Sequence, residues 1–187
     1  MNRVRSAIGC ALLFISVSSS LQFAALGGAS GVSSLPRCSA PQLHVWDYPA
    51  EGAAVDGGII IRLRNVGAHA CSLSGYASVQ GINQWNGAVL TAAHTRDSYL
   101  GGWESSKPLP IVVLHSKGGV ASFLVDFVGG NNIRACPYLN TLRVKVPAST
   151  IVFTPTSTKL QACKYFQVHP FVPCPSGSNR AQQKVPL

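Results

Sequence analysis

The sequence predicts an all-β protein: an immunoglobulin-like antiparallel β-sandwich of seven to nine strands, braced by disulfides. Three observations carry this. Short segments alternate apolar and polar residues with period two, as strands with one buried and one wet face do. Gly- and Asn-containing turn signals separate them. The periodic Ala, Leu, Glu, Lys and Gln runs that long helices need are missing.

The first strand holds Leu43 and Val45 around His44. The next places Ile59, Ile61 and Leu63 inward, with Arg62 and Arg64 outward. Ala121, Phe123, Val125 and Phe127 share a face opposite Ser122 and Asp126, and Leu142, Val144 and Val146 alternate with Arg143 and Lys145. Shorter strands are expected over 77–82, 111–115, 151–154 and 165–169. Asp56-Gly57-Gly58, Asn65-Val66-Gly67, Lys117-Gly118-Gly119 and Gly129-Gly130-Asn131-Asn132 read as turns. The segment from Ala92 to Pro110 does not alternate, and long loops of this kind within compact domains tend to be functional or mobile.

Ahead of the domain, Arg3 and Arg5 precede an apolar, small-residue run from Ser6 to Ala29. A basic start, an apolar middle and a small-residue end make a secretory signal peptide, with cleavage near Ser30. Its most apolar part, 8–17, is half the roughly twenty residues a membrane span needs. An uncleaved anchor reaching Leu26 is the competing reading, weakened by Ser18, Ser19 and Ser20. Cys10 precedes most of the apolar run, which is wrong for lipidation. The organisation is therefore a leader over 1–29, a linker over 30–37, a domain over 38–174 and a polar tail over 175–187. No later apolar stretch is long enough to span a membrane, so the mature chain is expected in the extracytoplasmic envelope or secreted, as a monomer.

Beyond the leader, thirteen Lys and Arg face six Asp and Glu, a net charge of +7. That excess suits anionic partners outside the cell. The basic residues are scattered, with no dense run and no reading helix, which argues against nucleic acid.

Five cysteines follow the leader: Cys38, Cys71, Cys136, Cys163 and Cys174. Two bridges and one leftover thiol allow about fifteen connectivities, and spacing does not choose among them. No Cys-x-x-Cys is present, so no zinc-type cluster is read. The histidines (His44, His69, His94, His115, His169) lack metal-ligand spacing and are read as isolated surface residues. No metal and no cofactor is expected.

One constellation looks familiar. A strand ends Leu63-Arg64-Asn65, Gly67 follows, and then comes Cys71-Ser72-Leu73-Ser74-Gly75-Tyr76. Gly118-Gly119 opens the strand 120–127, with Cys136 and the strand 142–146 beyond. This order resembles the domain of unknown function 4232, found in secreted proteins and lipoproteins of mycobacteria and related actinobacteria, over roughly Cys38 to Val172. The resemblance implies an immunoglobulin-like sandwich with Cys38 bridging Cys71 and Cys136 bridging Cys163, and Cys174 as the extra. It carries no activity and no catalytic residues. Physically, Asn65 and Gly67 suit a turn with a side-chain-to-backbone bond, Gly75 a sharp corner, and Tyr76 an inward-packed ring.

No Gly-x-Ser-x-Gly elbow exists for a serine hydrolase. His94 and Asp97, three apart in the long loop, are the only residues on which an extracytoplasmic hydrolase could be argued. Asp97 and Glu104 are read as partners of Arg96 and Lys107 rather than as a glycosidase pair. The loop aromatics remain: Trp46 and Tyr48 after the first strand, Trp85 between Asn83 and Asn86, and Tyr99 and Trp103 in the long loop. Arg96, Tyr99, Trp103 and Trp85 are the candidate binding residues. The functional reading is a non-catalytic binding protein for an anionic envelope polymer, a glycan or a protein partner. A purely structural surface protein is the other alternative.

Overall fold

In a computed structural model, the structure describes residues 35–50, 56–98, 100–128, 136–156, 160–162 and 165–174. The leader, the tail over 175–187, the turn expected at 129–132, Tyr99 and Cys163 lie outside the described residues.

β structure fills the described chain, as the alternation requires. The strands are β1 (Leu43–Ala50), β2 (Asp56–Asn65), β3 (Cys71–Ser74), β4 (Ser78–Ile82), β5 (Val89–Thr91), β6 (Ala93–His94), β7 (Asp97–Ser98) and β8 (Gly101–Gly102). They continue with β9 (Ile111–Leu114), β10 (Val120–Val128), β11 (Tyr138–Leu139), β12 (Thr141–Val146), β13 (Ser149–Phe153), β14 (Leu160–Gln161), β15 (Tyr165–Val168) and β16 (Val172–Pro173). Nine are four residues or longer, and all eight strands expected from sequence are among those nine. The ninth, β3, was not read as a strand, and the short pieces were not legible, because two or three residues carry too few alternations to register.

The main sheet runs β1-β2-β10-β15-β6, with β16 also pairing β10, and the second runs β13-β12-β4-β5. Pairing within both is antiparallel, except for the parallel contact of β15 with β6. Ile59, Ile61, Leu63, Phe123, Val125, Phe127 and Phe171 from the main sheet share one apolar core with Val79, Leu142, Val144 and Val146 from the second. Arg143 and Lys145 face water, as the alternation of β12 demands. Phe123 and Phe171 meet edge to face, centroids 5.4 Å apart.

Two turn expectations resolve differently. Asn65 is fully buried; its Nδ2 donates to the carbonyls of His69 (2.8 Å) and Leu114 (3.0 Å), and its Oδ1 accepts from Gly67 N (2.9 Å). One side chain thus ties the β2–β3 turn to β9 and leaves no donor orphaned. By contrast, Asp56-Gly57-Gly58 is no turn but the start of β2. A Cβ on Gly57 would meet the Phe127 ring at 2.8 Å, and one on Gly58 would meet Leu100 at 2.7 Å. The glycines are there so that side chains can lie flat across both faces of the strand.

Cys38 and Cys71 form a disulfide, joining the segment before β1 to β3 beside the bridge of Arg37 with Ser72. With a separation of 33 residues, the chain-entropy contribution is about 3–4 kcal/mol. Cys136 is also disulfide-bonded, and Cys174 is a buried free thiol. The expected pairing of Cys136 with Cys163 involves a residue outside those described.

Gly75, at φ +72°, makes the expected corner before Tyr76. The Tyr76 ring, however, is only partly buried and stacks on His94, centroids 4.5 Å apart. β6 brings His94 to that corner by its pairing with β15, so the ring finds a partner outside the core.

Candidate functional site

The main sheet has a second face, and it is not simply wet. On β2 it presents Gly58, Ile60, Arg62 and Arg64; on β10 it presents Asp126, Leu124, Ser122 and Val120 opposite them. Ile60 and Leu124 are buried yet lie outside the main core. Arg62, Ser122 and Asp126, read from sequence as solvent-facing, are buried as well. Alternation had told which way they point, but not what covers them.

One end of this face is sealed. Val125 pairs with Val168 while Ser122 pairs with Val172, so the partner strand carries one residue more than β10 over this stretch. That is a β-bulge, a device that re-aims side chains. Here Phe171 N turns away to donate to Gly75 O, and His169 N still donates to Leu124 O. His169, expected on the surface, is thereby buried; its Nε2 lies 3.4 Å from Asp126 Oδ2 and 3.2 Å from Ser98 Oγ. Ser98 arrives on the Ala92–Pro110 segment, whose Leu100, Gly101, Gly102 and Trp103 close over Gly58, Leu124 and His169. The segment read as a free loop is therefore a strap with short strands of its own, β6, β7 and β8.

This cluster is the one Ser–His–Asp arrangement that the described geometry brings together, and sequence reasoning missed it because its members stand 71 and 43 residues apart on unrelated elements. It is not wired as a relay. A triad needs serine on one ring nitrogen and the acid on the other, whereas here both oxygens approach Nε2. Nδ1 of His169 and Oδ1 of Asp126 have no hydrogen-bond partner among the described residues. As for His94 and Asp97, no hydrogen bond or ion pair joins them; His94 stacks on Tyr76, and Asp97 lies exposed in β7.

The strap is braced from within. Arg96 Nη1 donates to the carbonyls of Ser105 (3.2 Å) and Lys107 (2.7 Å), and Trp103 Nε1 donates to Pro108 O (3.0 Å). Lys107 pairs with Glu104 at 2.6 Å, as the sequence led one to expect; Asp97 does not pair with Arg96. The Lys107 hydrogen bond, helped by one from Ser106 Oγ, holds the Glu104 carboxyl below its ordinary value. Arg96 and Trp103 thus come together, while Trp85, 76% exposed, belongs to a different cleft.

The other end of the outer face is open. Trp46 and Tyr48 of β1 alternate with Arg62 and Arg64 of β2 across the register. The Arg62 guanidinium lies over the Tyr48 ring at 4.6 Å and that of Arg64 over Trp46 at 5.2 Å, with His44 stacked beside Trp46 at 5.6 Å. Gly118, Gly119, Val120 and Cys174 complete a groove of about 530 Å³. Among the described residues no carboxylate lines it. Stacking on Trp46 fixes the Arg64 guanidinium through its π face and leaves its N–H edges free to fork onto an anion, whereas Arg62 is buried at the base of the groove. Arg64, exposed, makes no hydrogen bond or ion pair among the described residues. Sequence reading noted Trp46, Tyr48, Arg62 and Arg64 separately; the cue that would have joined them is their equal phase on two neighbouring strands.

Among the described residues, no cluster of three or more His, Cys, Asp or Glu is placed to hold a metal ion, and no helix is long and apolar enough to cross a membrane.

Fold and groove together define a disulfide-braced all-β domain with one sheet face half sealed and half open. The family model described as a domain of unknown function, DUF4232, matches residues 38–172. The chain belongs to this family, as its Asn65-Val66-Gly67 and Cys71-to-Tyr76 segments had indicated. No curated protein matches the chain.

Proposed function

We propose that the protein is an exported, non-catalytic binding module that captures an anionic component of the cell envelope in the Trp46–Tyr48–Arg62–Arg64 groove. The observation that carries this reading is the exposed Arg64 guanidinium, stacked on the Trp46 ring at the mouth of a groove whose base holds Arg62 against Tyr48. Its volume falls within the range of ligand pockets, about 300–1,000 Å³. A stacked arginine loses little side-chain freedom on binding, and bidentate contact with phosphate or carboxylate is what its fork suits. The net positive charge beyond the leader adds long-range attraction to the same class of partner.

Export is supported by the basic, apolar and small-residue order of the first 29 residues, and by the Cys38–Cys71 disulfide, since such bonds persist in oxidising compartments. The non-catalytic reading is supported by the stacking of His94 on Tyr76 rather than any bond with Asp97, and by the convergence of Ser98 and Asp126 on a single nitrogen of His169. The Ala92–Pro110 segment serves this reading as the strap that seals the neighbouring half of the face.

The test is co-sedimentation of the purified domain with envelope material at low and high salt, for the native protein and for Arg64→Ala. Retention should fall with salt and drop about tenfold or more in the variant, as loss of a charge-assisted pair of about 1.5–3 kcal/mol implies. Retention indifferent to both salt and Arg64 would contradict the proposal.

A further inference from the structure

We infer that the Asn83–Ala88 turn displays Trp85 as a stacking platform for an uncharged sugar ring, in a second cleft that shares no residue with the arginine groove. The turn is braced well beyond what its length requires. Asn83, buried, accepts through Oδ1 from Trp85 N (2.9 Å) and Asn86 N (3.2 Å), and its own N donates to Ala88 O (2.8 Å). Gly87 at φ +70° donates to Asn83 O, Asn86 Oδ1 accepts from Ala88 N, and Gln84 N donates to Asn140 Oδ1 at 2.9 Å. All this rigidity holds one indole out in water, 76% exposed. An aromatic side chain can bury about 150–250 Å². Here that area is left available, and a ligand would meet it without any cost of ordering the turn.

Beside Trp85 lies a cleft of about 410 Å³ lined by Tyr138, Leu139, Asn140, Thr154, Pro155 and Leu160. Among the described residues no charged side chain lines it, which suits an uncharged ligand. Trp85 Nε1, Asn140 Nδ2, Tyr138 Oη and Thr154 Oγ1 make no hydrogen bond among the described residues. Two donors and two hydroxyls around an aromatic shelf match a ligand with an apolar ring face and a hydroxylated rim, which is the chemistry of a pyranose. A proline-rich peptide is the competing occupant of an aromatic-lined groove, but it has few N–H donors and leaves most of the acceptor capacity of both hydroxyls unused.

The experiment is calorimetric titration of the intact domain with uncharged hexose and N-acetylhexosamine tetramers, and with a proline-rich decapeptide. Saturable binding of one of the tetramers is expected, unchanged by salt and weakened about tenfold by Trp85→Ala. Trp85→Phe, which keeps a ring, should retain part of the affinity. Because Trp85 is exposed, both variants should fold; unfolding midpoints close to the native value will check this. Salt-independence separates this site from the arginine groove, whose binding must fall with salt. The inference is overturned if no uncharged tetramer binds, if the peptide alone saturates the cleft, or if tetramer binding is indifferent to Trp85.

Discussion

The two ends of the outer face of the main sheet are built from the same strands, β2 and β10, yet they are finished in opposite ways. At one end Gly58, Leu124 and His169 are covered by the strap carrying Ser98, Leu100 and Trp103, with Asp126 buried against His169. At the other, Arg64 and its aromatic neighbours stand open around a groove. Polar residues occur in both halves, so polarity is not what separates them. In the sealed half they answer one another: His169 meets Asp126 and Ser98 within the protein. In the open half the exposed Arg64 is oriented by the Trp46 ring, which holds it without consuming its donors. On the proposed function, the sealed half contributes to stability and the open half to recognition, and substitutions should divide accordingly.

The largest effect should come from the apolar part of the sealed half. Leu124→Ala removes a buried side chain that sits beneath the strap, and should cost about 2–5 kcal/mol, read as a lower denaturant midpoint at unchanged m-value. Next is His169→Ala, which leaves Asp126 buried with its nearest polar partner gone; a loss of about 1–3 kcal/mol is expected. Envelope retention of either variant, measured on folded protein, should match the native domain. If either one abolishes retention while the fold persists, the division of labour is wrong.

Arg64→Ala should do the reverse. An exposed side chain away from special features shifts stability by no more than about 0.5 kcal/mol, while retention falls as described above. The smallest effect concerns the strap's surface. Glu104 should titrate below the ordinary carboxylate range, and Lys107→Ala should return it upward, followed by carboxyl chemical shifts. Because its folded value is depressed, whatever the pair contributes is present above the unfolded carboxylate value and is lost as pH falls through the folded one. Being exposed, the pair should leave the unfolding temperature near neutral pH unchanged when Glu104 is replaced by Gln.

The same contrast shows what sequence can and cannot carry. Ile59, Ile61 and Leu63, or Leu142, Val144 and Val146, declare their face because burial on one side of a strand imposes a period of two. Asn65 was legible for a local reason: its side chain closes the turn in which it stands. Arg62 and Arg64 were not distinguishable, since they share a strand and a face, and yet one is buried and the other exposed. What differs is how neighbouring chain covers them, and that covering leaves no periodic trace. The strap itself has too few repeated contacts to alternate, so it read as a loop. His169 was read as a surface residue because a bulge, one extra residue opposite β10, is invisible without the partner strand. Of the candidate binding residues, Arg96 and Trp103 lie together in the strap, and their side-chain donors brace it. The open groove lay in residues the sequence had named for other reasons.

The most direct test of the central claim is an amide and indole chemical-shift titration of the domain with inorganic polyphosphate, a soluble polyanion. The account predicts saturable shifts confined to Arg64, the Trp46 indole, Gly118, Gly119 and their strand neighbours, with Leu124, His169 and the strap silent. Shifts spread evenly over the lysines and arginines of the whole surface, or centred on the strap, would contradict it.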